Sequence, residues 1–417
     1  MLGMTTPHSS TAQSRVSDVC IVGNGAIAKT AALGFAQAGH SVTLLVPAPR
    51  PAADEAAPFA PGAERPWDVR VYALNHTAHD LLSALKVWDA MDAARIAPVD
   101  AMAVNGDGKG GKDAGKLGFD AFGAHTGTLA WIVEDSNING ALDAALKFAH
   151  NVQVVSGCAS RLSCGQEGAQ VELEDGCKID AKLVIGADGR ESWVRGQCDI
   201  GIDYRSYHQR AIVTNFACEK PHHGVAHQWF TCQDGIVALL PLPGNKVSLV
   251  WSAPETLAAT LMDESLGELA IRLGEYADAP LGALKPLQPE LVKAVPLALV
   301  RPHALVAPHV ALVGDAAHAV HPLAGHGMNL GFGDVVDLLR VIGAREEHRA
   351  IGDERVLARY ARARKEDVLL MQLATDGLER LFGANLEPVR VVRNLGLNLL
   401  DKLPFVKRQL MAHALGK

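Results

Sequence analysis

A glycine-rich turn between a short apolar run and a helix-forming run restricts the fold of this chain more than any other feature. Residues 18–22 (DVCIV) suit a buried strand, and the turn GNGAIA follows at once. Residues 29–38 then favour a helix, Gly39 favours its end, and residues 41–46 (SVTLLV) favour a second strand. The pattern predicts a β-α-β unit of about 30 residues, a unit in which dinucleotides bind.

The turn itself predicts a pyrophosphate site. Gly23, Gly25 and the small Ala28 allow backbone N–H groups to approach a phosphate at the start of a helix. The acid that commonly bonds a ribose hydroxyl after the second strand is missing, because Pro47 stands there. An ordinary tight turn is the alternative interpretation of the same residues.

Composition limits the class of protein. A chain of 417 residues has room for two or three domains. Its net charge of −7 argues against nucleic acid as the main partner. Seven scattered cysteines without a C-x-x-C pair favour free thiols, and no apolar run is long enough to cross a bilayer. We therefore expect a cytoplasmic protein without a structural zinc site.

The pattern changes after residue 210. Residues 211–251 contain four β runs separated by turn residues such as Asp234-Gly235 and Gly244-Asn245. This alternation predicts an antiparallel sheet inserted in an α/β chain.

Two further strand-to-turn segments carry chemistry. Residues 183–195 (LVIGADGRESWVR) contain Asp188-Gly189, and residues 311–318 (ALVGDAAH) contain Gly314-Asp315. A carboxylate at position 315 can accept hydrogen bonds from sugar hydroxyls. Asp188 is equally well interpreted as a turn or cap residue.

These three ordered motifs closely resemble those of the FAD-dependent aromatic monooxygenases of the para-hydroxybenzoate hydroxylase type, and most of all the ubiquinone-biosynthesis hydroxylases. The resemblance covers nearly the whole chain beyond Val16. It implies an α/β fold with a Rossmann-like FAD-binding domain of the three-layer ββα type, an inserted, mainly antiparallel β substrate domain, and C-terminal helices. The expected ranges are 16–75, 125–201 and 298–350 for the FAD-binding domain, 76–124 and 202–297 for the substrate domain, 351–417 for the helical region, and 1–15 for a disordered N-terminus.

The resemblance also implies which residues bind the cofactor. The Gly314-Asp315 pair would contact the flavin ribityl chain, and the peptide groups of residues 325–329 would lie along the isoalloxazine. Arg70 matches a family arginine near FAD, although an ordinary surface arginine is the alternative. The expected cofactor-binding residues are Gly23, Gly25, Ala28, Arg70, Asp188, Gly189, Gly314, Asp315, Gly325, Gly327, Met328 and Asn329.

The chain departs from the family at two positions. Asp135 follows Glu134 where the family usually has Asn, which would put an anion near the cofactor or in solvent. His326 stands where Gln is common. The resemblance assigns no catalytic residue, so Pro322 and His326 are only candidates near the flavin. A metal site built from the neighbouring histidines is not expected, because their spacing matches no zinc signature.

The activity implied is hydroxylation of a polyprenylated phenol on the way to ubiquinone. FAD would be reduced transiently by NADH or NADPH and would use O₂ through a flavin C4a-hydroperoxide. One alternative is a hydroxylase of a soluble aromatic acid or phenol. Another is a flavin-poor scaffold subunit of a quinone-synthesis complex.

The C-terminal stretch suggests a surface role. Residues 388–417 contain six basic residues and one acid, with apolar residues recurring at every fourth position. Such a segment can contact the inner face of a membrane or a quinone-synthesis complex. Packing of its apolar stripe on its own domain is the alternative.

Overall fold

The computed structural model describes residues 14–47, 65–106, 115–288, 290–319 and 326–383. Pro322, Gly325 and the basic stretch 388–417 therefore lie outside the described residues. The strands are β1 (Ser14–Val22), β2 (Val42–Val46), β3 (Val71–Leu74), β4 (Ile96–Val99), β5 (Ala101–Asn105), β6 (Lys116–Asp120), β7 (Ala130–Glu134), β8 (Val152–Ser156), β9 (Ala159–Cys164), β10 (Ala169–Leu173), β11 (Lys178–Gly186), β12 (Ile202–Cys218), β13 (Val225–Phe230), β14 (Ile236–Leu242), β15 (Lys246–Pro254), β16 (Leu284–Pro286), β17 (Lys293–Pro302), β18 (Val306–Ala307) and β19 (Val310–Leu312). The helices are α1 (Ala26–Gln37), α2 (His76–Ala84), α3 (Asp135–Leu146), α4 (Trp193–Gln197), α5 (Glu255–Asp263), α6 (Leu266–Leu281), α7 (His326–Gly343) and α8 (Glu354–Gly383).

The first sheet has a parallel centre in the order β19-β11-β1-β2-β8. Helices α1, α3 and α7 pack on one face, where their apolar side chains share a core with β1, β2 and β11. Antiparallel strands β9 and β10 contribute apolar side chains to the core on the opposite face. These layers confirm the expected α/β fold of the ββα type.

Close packing of α1 and α7 depends on a glycine. A Cβ atom on Gly34 of α1 would lie 2.6 Å from the Leu339 Cδ1 atom of α7. A larger residue at position 34 would displace the Leu339 side chain from this contact. The packing matters because these two helices begin at the carboxyl ends of the parallel strands.

The first strand begins earlier than the sequence indicated. Ser14 and Arg15, which fall in the range 1–15 that we expected to be disordered, pair with the first residues of β11. The Ser14 hydroxyl also donates to the Asp180 carboxylate at 2.7 Å. The expectation was wrong for these two residues because β11 is long enough to pair with them.

Helix α2 packs in the core of the first sheet. Ala78 and Leu82 are fully buried in the helical-side core of the first sheet, although the range 76–124 was assigned to the substrate domain. The boundary at residue 76 needs correction, because the apolar face of α2 is covered by α7 and not by the second sheet. The other boundaries remain predictions.

The second sheet has the order β16-β12-β15-β14-β13-β5-β6, with β17 beside β12. All neighbours are antiparallel except β13 and β5. Helices α5 and α6 cover one face, and the small antiparallel sheet β3-β7-β4 packs on the other. None of the helices in the described ranges combines the length and apolarity that crossing a bilayer requires.

Candidate active site

The carboxyl ends of three neighbouring parallel strands form the candidate site. The Ala187 N–H donates to the Val22 carbonyl at 2.9 Å, and the Val313 N–H donates to the Gly186 carbonyl at 2.9 Å. The turns that follow β1, β11 and β19 are therefore side by side at one edge of the sheet. The strand order reverses between β1 and β11, which is where open α/β sheets bind their ligands.

Gly23 can only be glycine in this arrangement. Its φ is +142°, and a Cβ atom there would lie 2.2 Å from the Ala187 carbonyl oxygen. The absence of a side chain brings the first glycine turn against the segment that carries Asp188. Two segments that are far apart in the sequence thus meet directly.

The start of α1 has the features of a phosphate site. Gly25 is the N-cap residue, no side chain caps the helix, and no acid stands in its first turn. A Cβ atom on Gly25 would meet nothing within 4 Å, so the approach to the helix end is open. Uncapped N–H groups at a positive helix end suit the pyrophosphate of a dinucleotide.

The Gly314-Asp315 turn lies next to the first glycine turn. Gly314 has a φ of +62°, and a Cβ atom there would lie 3.4 Å from the Ile27 Cγ2 atom of α1. Asp315 forms part of a short 3₁₀ helix and its side chain is exposed. Desolvation by the surrounding protein raises the pKa of Asp315, although His318, Arg190 and Arg70 act in the opposite direction.

A buried charge network that the sequence did not suggest lies under this turn. Asp334 of α7 is 0% exposed, and its Oδ2 accepts from the Gly314 N–H at 2.8 Å and from His318 Nε2 at 2.7 Å. Its Oδ1 accepts from Arg364 Nε of α8 at 2.7 Å. Burial alone would raise the pKa of Asp334, but His318, Arg364 and the Gly314 N–H together hold it below its ordinary value.

Asp188 caps a helix. Its Oδ2 accepts from the Val194 N–H at 3.0 Å, and its Oδ1 accepts from the Ser192 hydroxyl. These contacts fit the turn-or-cap interpretation, while Gly189 has the positive φ of +83° that the turn requires. Buried Arg195 then donates to the Ala316 carbonyl at 3.0 Å, which fixes the Asp188 turn to the Asp315 turn.

Arg70 lies directly before β3 of the third sheet, which consists of β3, β7 and β4. The Asp135 N–H donates to the Arg70 carbonyl at 2.9 Å, and no described residue pairs with the exposed Arg70 guanidinium. Glu134 holds this segment because its buried carboxylate pairs with Arg95 and accepts from the Asp68 N–H. The guanidinium is thus free for a ligand.

Asp135 is partnered within the protein. Its Oδ1 accepts from the Tyr72 hydroxyl at 3.1 Å and from Asn139 Nδ2 at 2.9 Å. Burial, with the charge of Asp135 next, raises the pKa of Tyr72 above its ordinary value. Asp135 is partly buried, so both expectations for it remain predictions.

Asn329 joins α7 to β3. Its Oδ1 accepts from the Asn75 N–H at 3.0 Å, and its Nδ2 donates to the Ala73 carbonyl at 2.8 Å. Met328 packs against the core of the first sheet, and no described residue lies within 4 Å of the place that a Cβ atom on Gly327 would take. The side chain of Asn329 thus serves the framework, while the backbone at Gly327 stays open.

Two expectations concerned histidines: a place near the flavin for His326, and the absence of a metal site. Helix α7 begins at His326, whose side chain is not among those described. No group of three or more His, Cys, Asp or Glu side chains in the described ranges is arranged to hold a metal ion.

Comparisons with known proteins agree on one family. The family described as FAD binding domain matches residues 147–371. The 3-demethoxyubiquinol 3-hydroxylase of Escherichia coli strain K12 is 36% identical over 96% of this chain and 98% of its own length. The ubiquinone hydroxylase UbiL of Rhodospirillum rubrum is 33% identical over 96% of this chain and 90% of its own.

Solved structures show the same fold. PqsL, a probable FAD-dependent monooxygenase from Pseudomonas aeruginosa, superposes with a TM-score of 0.73 at 22% identity, covering 92% of this chain and 100% of its own. The uncapped start of α1, the adjoining Gly314-Asp315 turn and the free Arg70 guanidinium fit FAD. The chain therefore belongs to the ubiquinone-biosynthesis hydroxylase family of FAD-dependent aromatic monooxygenases.

Proposed function

We propose that this enzyme hydroxylates the ring of a polyprenylated phenol in ubiquinone biosynthesis, at ring carbon 3 of a demethoxyubiquinol. The observation that carries the substrate is the relative with that named activity, which aligns over almost the full length of both chains. The observation that supports the chemistry is the meeting of three turns at one edge of the sheet.

Each turn has a distinct task in holding the cofactor. The N–H groups at the start of α1, beside Gly23, Gly25 and Ala28, bind the pyrophosphate. Asp315 accepts from ribityl hydroxyls, and Arg70 supplies positive charge near the phosphate or ribose. The Asp188-Gly189 turn and the backbone of residues 327–329 complete the walls. FAD, once bound and reduced by NADH or NADPH, supplies the activation of O₂ and the oxygen transfer.

The second sheet packs on the third sheet through one face. Its face towards the third sheet is largely apolar, with Ala226, Leu240 and Leu242 buried there. Paired strands put Asn215 and Ser248 opposite each other on that face, and Gln228 lies beyond Ala226. Each of these three polar residues has a buried side-chain atom without a hydrogen-bond partner.

A gene deletion in the host tests the proposed reaction. We expect quinone precursor to accumulate one ring oxygen short, as identified by mass spectrometry, and the purified yellow enzyme to restore that oxygen with NADH or NADPH. Accumulation of a precursor lacking a different substituent would contradict the ring position. Normal quinone levels with turnover of soluble phenols would contradict the substrate class, and a colourless protein that FAD cannot reconstitute would favour a scaffold.

The basic C-terminal stretch supports a further part of the proposal. We expect residues 388–417, with six basic residues and one acid, to bring the enzyme to an anionic membrane surface or a quinone-synthesis complex. Co-sedimentation with vesicles containing anionic lipid, compared with neutral vesicles, measures the membrane contact. Equal binding of full-length and truncated protein would remove the role of this stretch.

A further inference from the structure

Helix α8 contacts the segment that carries Asp315. The Tyr360 hydroxyl donates to the carbonyl of Leu312, the last residue of β19, at 2.7 Å. One turn further along α8, the Arg364 guanidinium reaches the Asp334 carboxylate of α7 at 2.7 Å. One face of α8 thus contacts the elements on both sides of the Gly314-Asp315 turn.

Asp334 connects this helix to the turn. It is 0% exposed and Arg364 is 3% exposed, so the ion pair is removed from solvent. The other oxygen of Asp334 accepts the Gly314 N–H at 2.8 Å. Arg364 also donates to the Leu330 carbonyl and pairs with Asp337, which fixes the guanidinium plane. A Cβ atom on Gly333 would lie 3.2 Å from both terminal guanidinium nitrogens of Arg364. The guanidinium is therefore packed closely against the backbone of α7.

We propose that Arg364 is a positioning residue for FAD: through Asp334 it holds Gly314 at positive φ, so that Asp315 faces the ribityl chain. Cofactor binding and docking of α8 are consequently coupled. The inference depends on the cofactor and not on which phenol is hydroxylated.

The physical reason is the cost of a buried carboxylate that loses a partner. Without Arg364, Asp334 keeps only His318 and the Gly314 N–H as partners, and must take up a proton or move. Either change weakens the hydrogen bond that Asp334 accepts from the Gly314 N–H. Gly314 then leaves its positive φ, and the Asp315 side chain turns away from the ribityl chain. Because coupling between sites is reciprocal, bound FAD in turn stabilises the docked position of α8.

Reconstitution of the apoprotein with FAD tests the inference. We expect Arg364→Met to raise the dissociation constant of FAD about ten- to a hundredfold, measured by quenching of flavin fluorescence. Arg359→Met is the matched control, since this arginine lies on the same helix and pairs with Glu346 at the surface. An unchanged dissociation constant in Arg364→Met would overturn the proposal.

A second measurement separates positioning from general stability. We expect the rise in melting temperature caused by saturating FAD to shrink in Arg364→Met and to recover partly in Arg364→Lys. A fall in melting temperature that is equal with and without FAD would mean that Arg364 only stabilises the fold. If Arg364→Met does not fold, Arg364→Lys provides the same comparison in a milder form, because it keeps the positive charge and removes the guanidinium that bonds Asp334.

The test of FAD binding and the test of the proposed reaction can fail independently of each other. Wild-type protein that binds FAD but leaves demethoxyubiquinol unchanged contradicts the proposed substrate and leaves the role of Arg364 standing. Turnover of that substrate with normal FAD affinity in Arg364→Met supports the function and contradicts the role of Arg364.

Discussion

The two glycine turns at the edge of the first sheet are built in different ways. The turn at residues 23–28 relies on absent side chains, since Gly23 touches the Ala187 carbonyl and Gly25 faces open space. The Gly314-Asp315 turn depends on buried charges, because Asp334 holds the Gly314 N–H and is itself paired with Arg364. The first turn therefore depends on absent side chains and a backbone contact, whereas the second depends on charged residues from two distant helices.

The largest effect on stability is expected at Gly23, where the first turn has no room for a side chain. Gly23→Ala should destabilise the fold by about 3 kcal/mol or more, since the new Cβ would clash with backbone and the φ is unfavourable. Gly25→Ala should change stability by less than about 0.5 kcal/mol yet weaken FAD binding, because its Cβ would point into the phosphate approach. Urea unfolding and FAD titration measure both. Equal stability of the two variants would break the comparison.

Removal of the carboxylate from the second turn should affect binding and not folding. Asp315→Ala should raise the dissociation constant of FAD about ten- to a hundredfold, as expected for one charge-assisted hydrogen bond. The apoprotein should remain folded, because the side chain is exposed. Asp89→Ala, at another exposed acid, is the control. An Asp315→Ala protein that stays yellow at full occupancy would remove the ribityl assignment.

The contributions of Asp334 and Asp315 to stability should depend on pH in opposite directions. The lowered pKa of Asp334 means that its contribution to stability is present above the ordinary value of 3.8 and is lost as pH falls through the lower native value. The raised pKa of Asp315 means that its contribution is lost as pH rises through the native value.

A pH series of urea unfolding checks these signs. The stability difference between wild type and Asp334→Asn should shrink as pH falls below 3.8. Asp315→Asn should remove the loss of stability that the raised pKa of Asp315 causes as pH rises. A wild-type advantage over Asp334→Asn that grows on acidification would contradict this electrostatic account.

The smallest effect is expected at the end of β2. Pro47 is exposed and stands where an acid would bond the ribose, so Pro47→Glu should tighten FAD binding about fivefold through one added hydrogen bond. Pro47→Gln has similar shape without the charge and should improve binding less. Equilibrium dialysis measures both. Wild-type protein that already keeps FAD through gel filtration and dialysis would show that the ribose contact is supplied elsewhere.

These differences explain what the sequence could predict. The strand, turn and helix around Gly25 are consecutive, so a local pattern was sufficient. Asp334 and Arg364 lie 20 and 50 positions after Gly314 on helices, and nothing in their spacing marks them as buried partners of a turn. Arg195 reaches Ala316 across 121 positions. Helix α2 was misassigned for the same reason, because its partner, α7, follows some 240 positions later in the chain.

A crystal structure of the protein with bound FAD tests the central claim most directly. The account predicts the pyrophosphate against the N–H groups that follow Gly25, and a ribityl hydroxyl within hydrogen-bond distance of the Asp315 carboxylate. FAD bound with its pyrophosphate away from the start of α1, or with Asp315 turned from the ribityl chain, would contradict it.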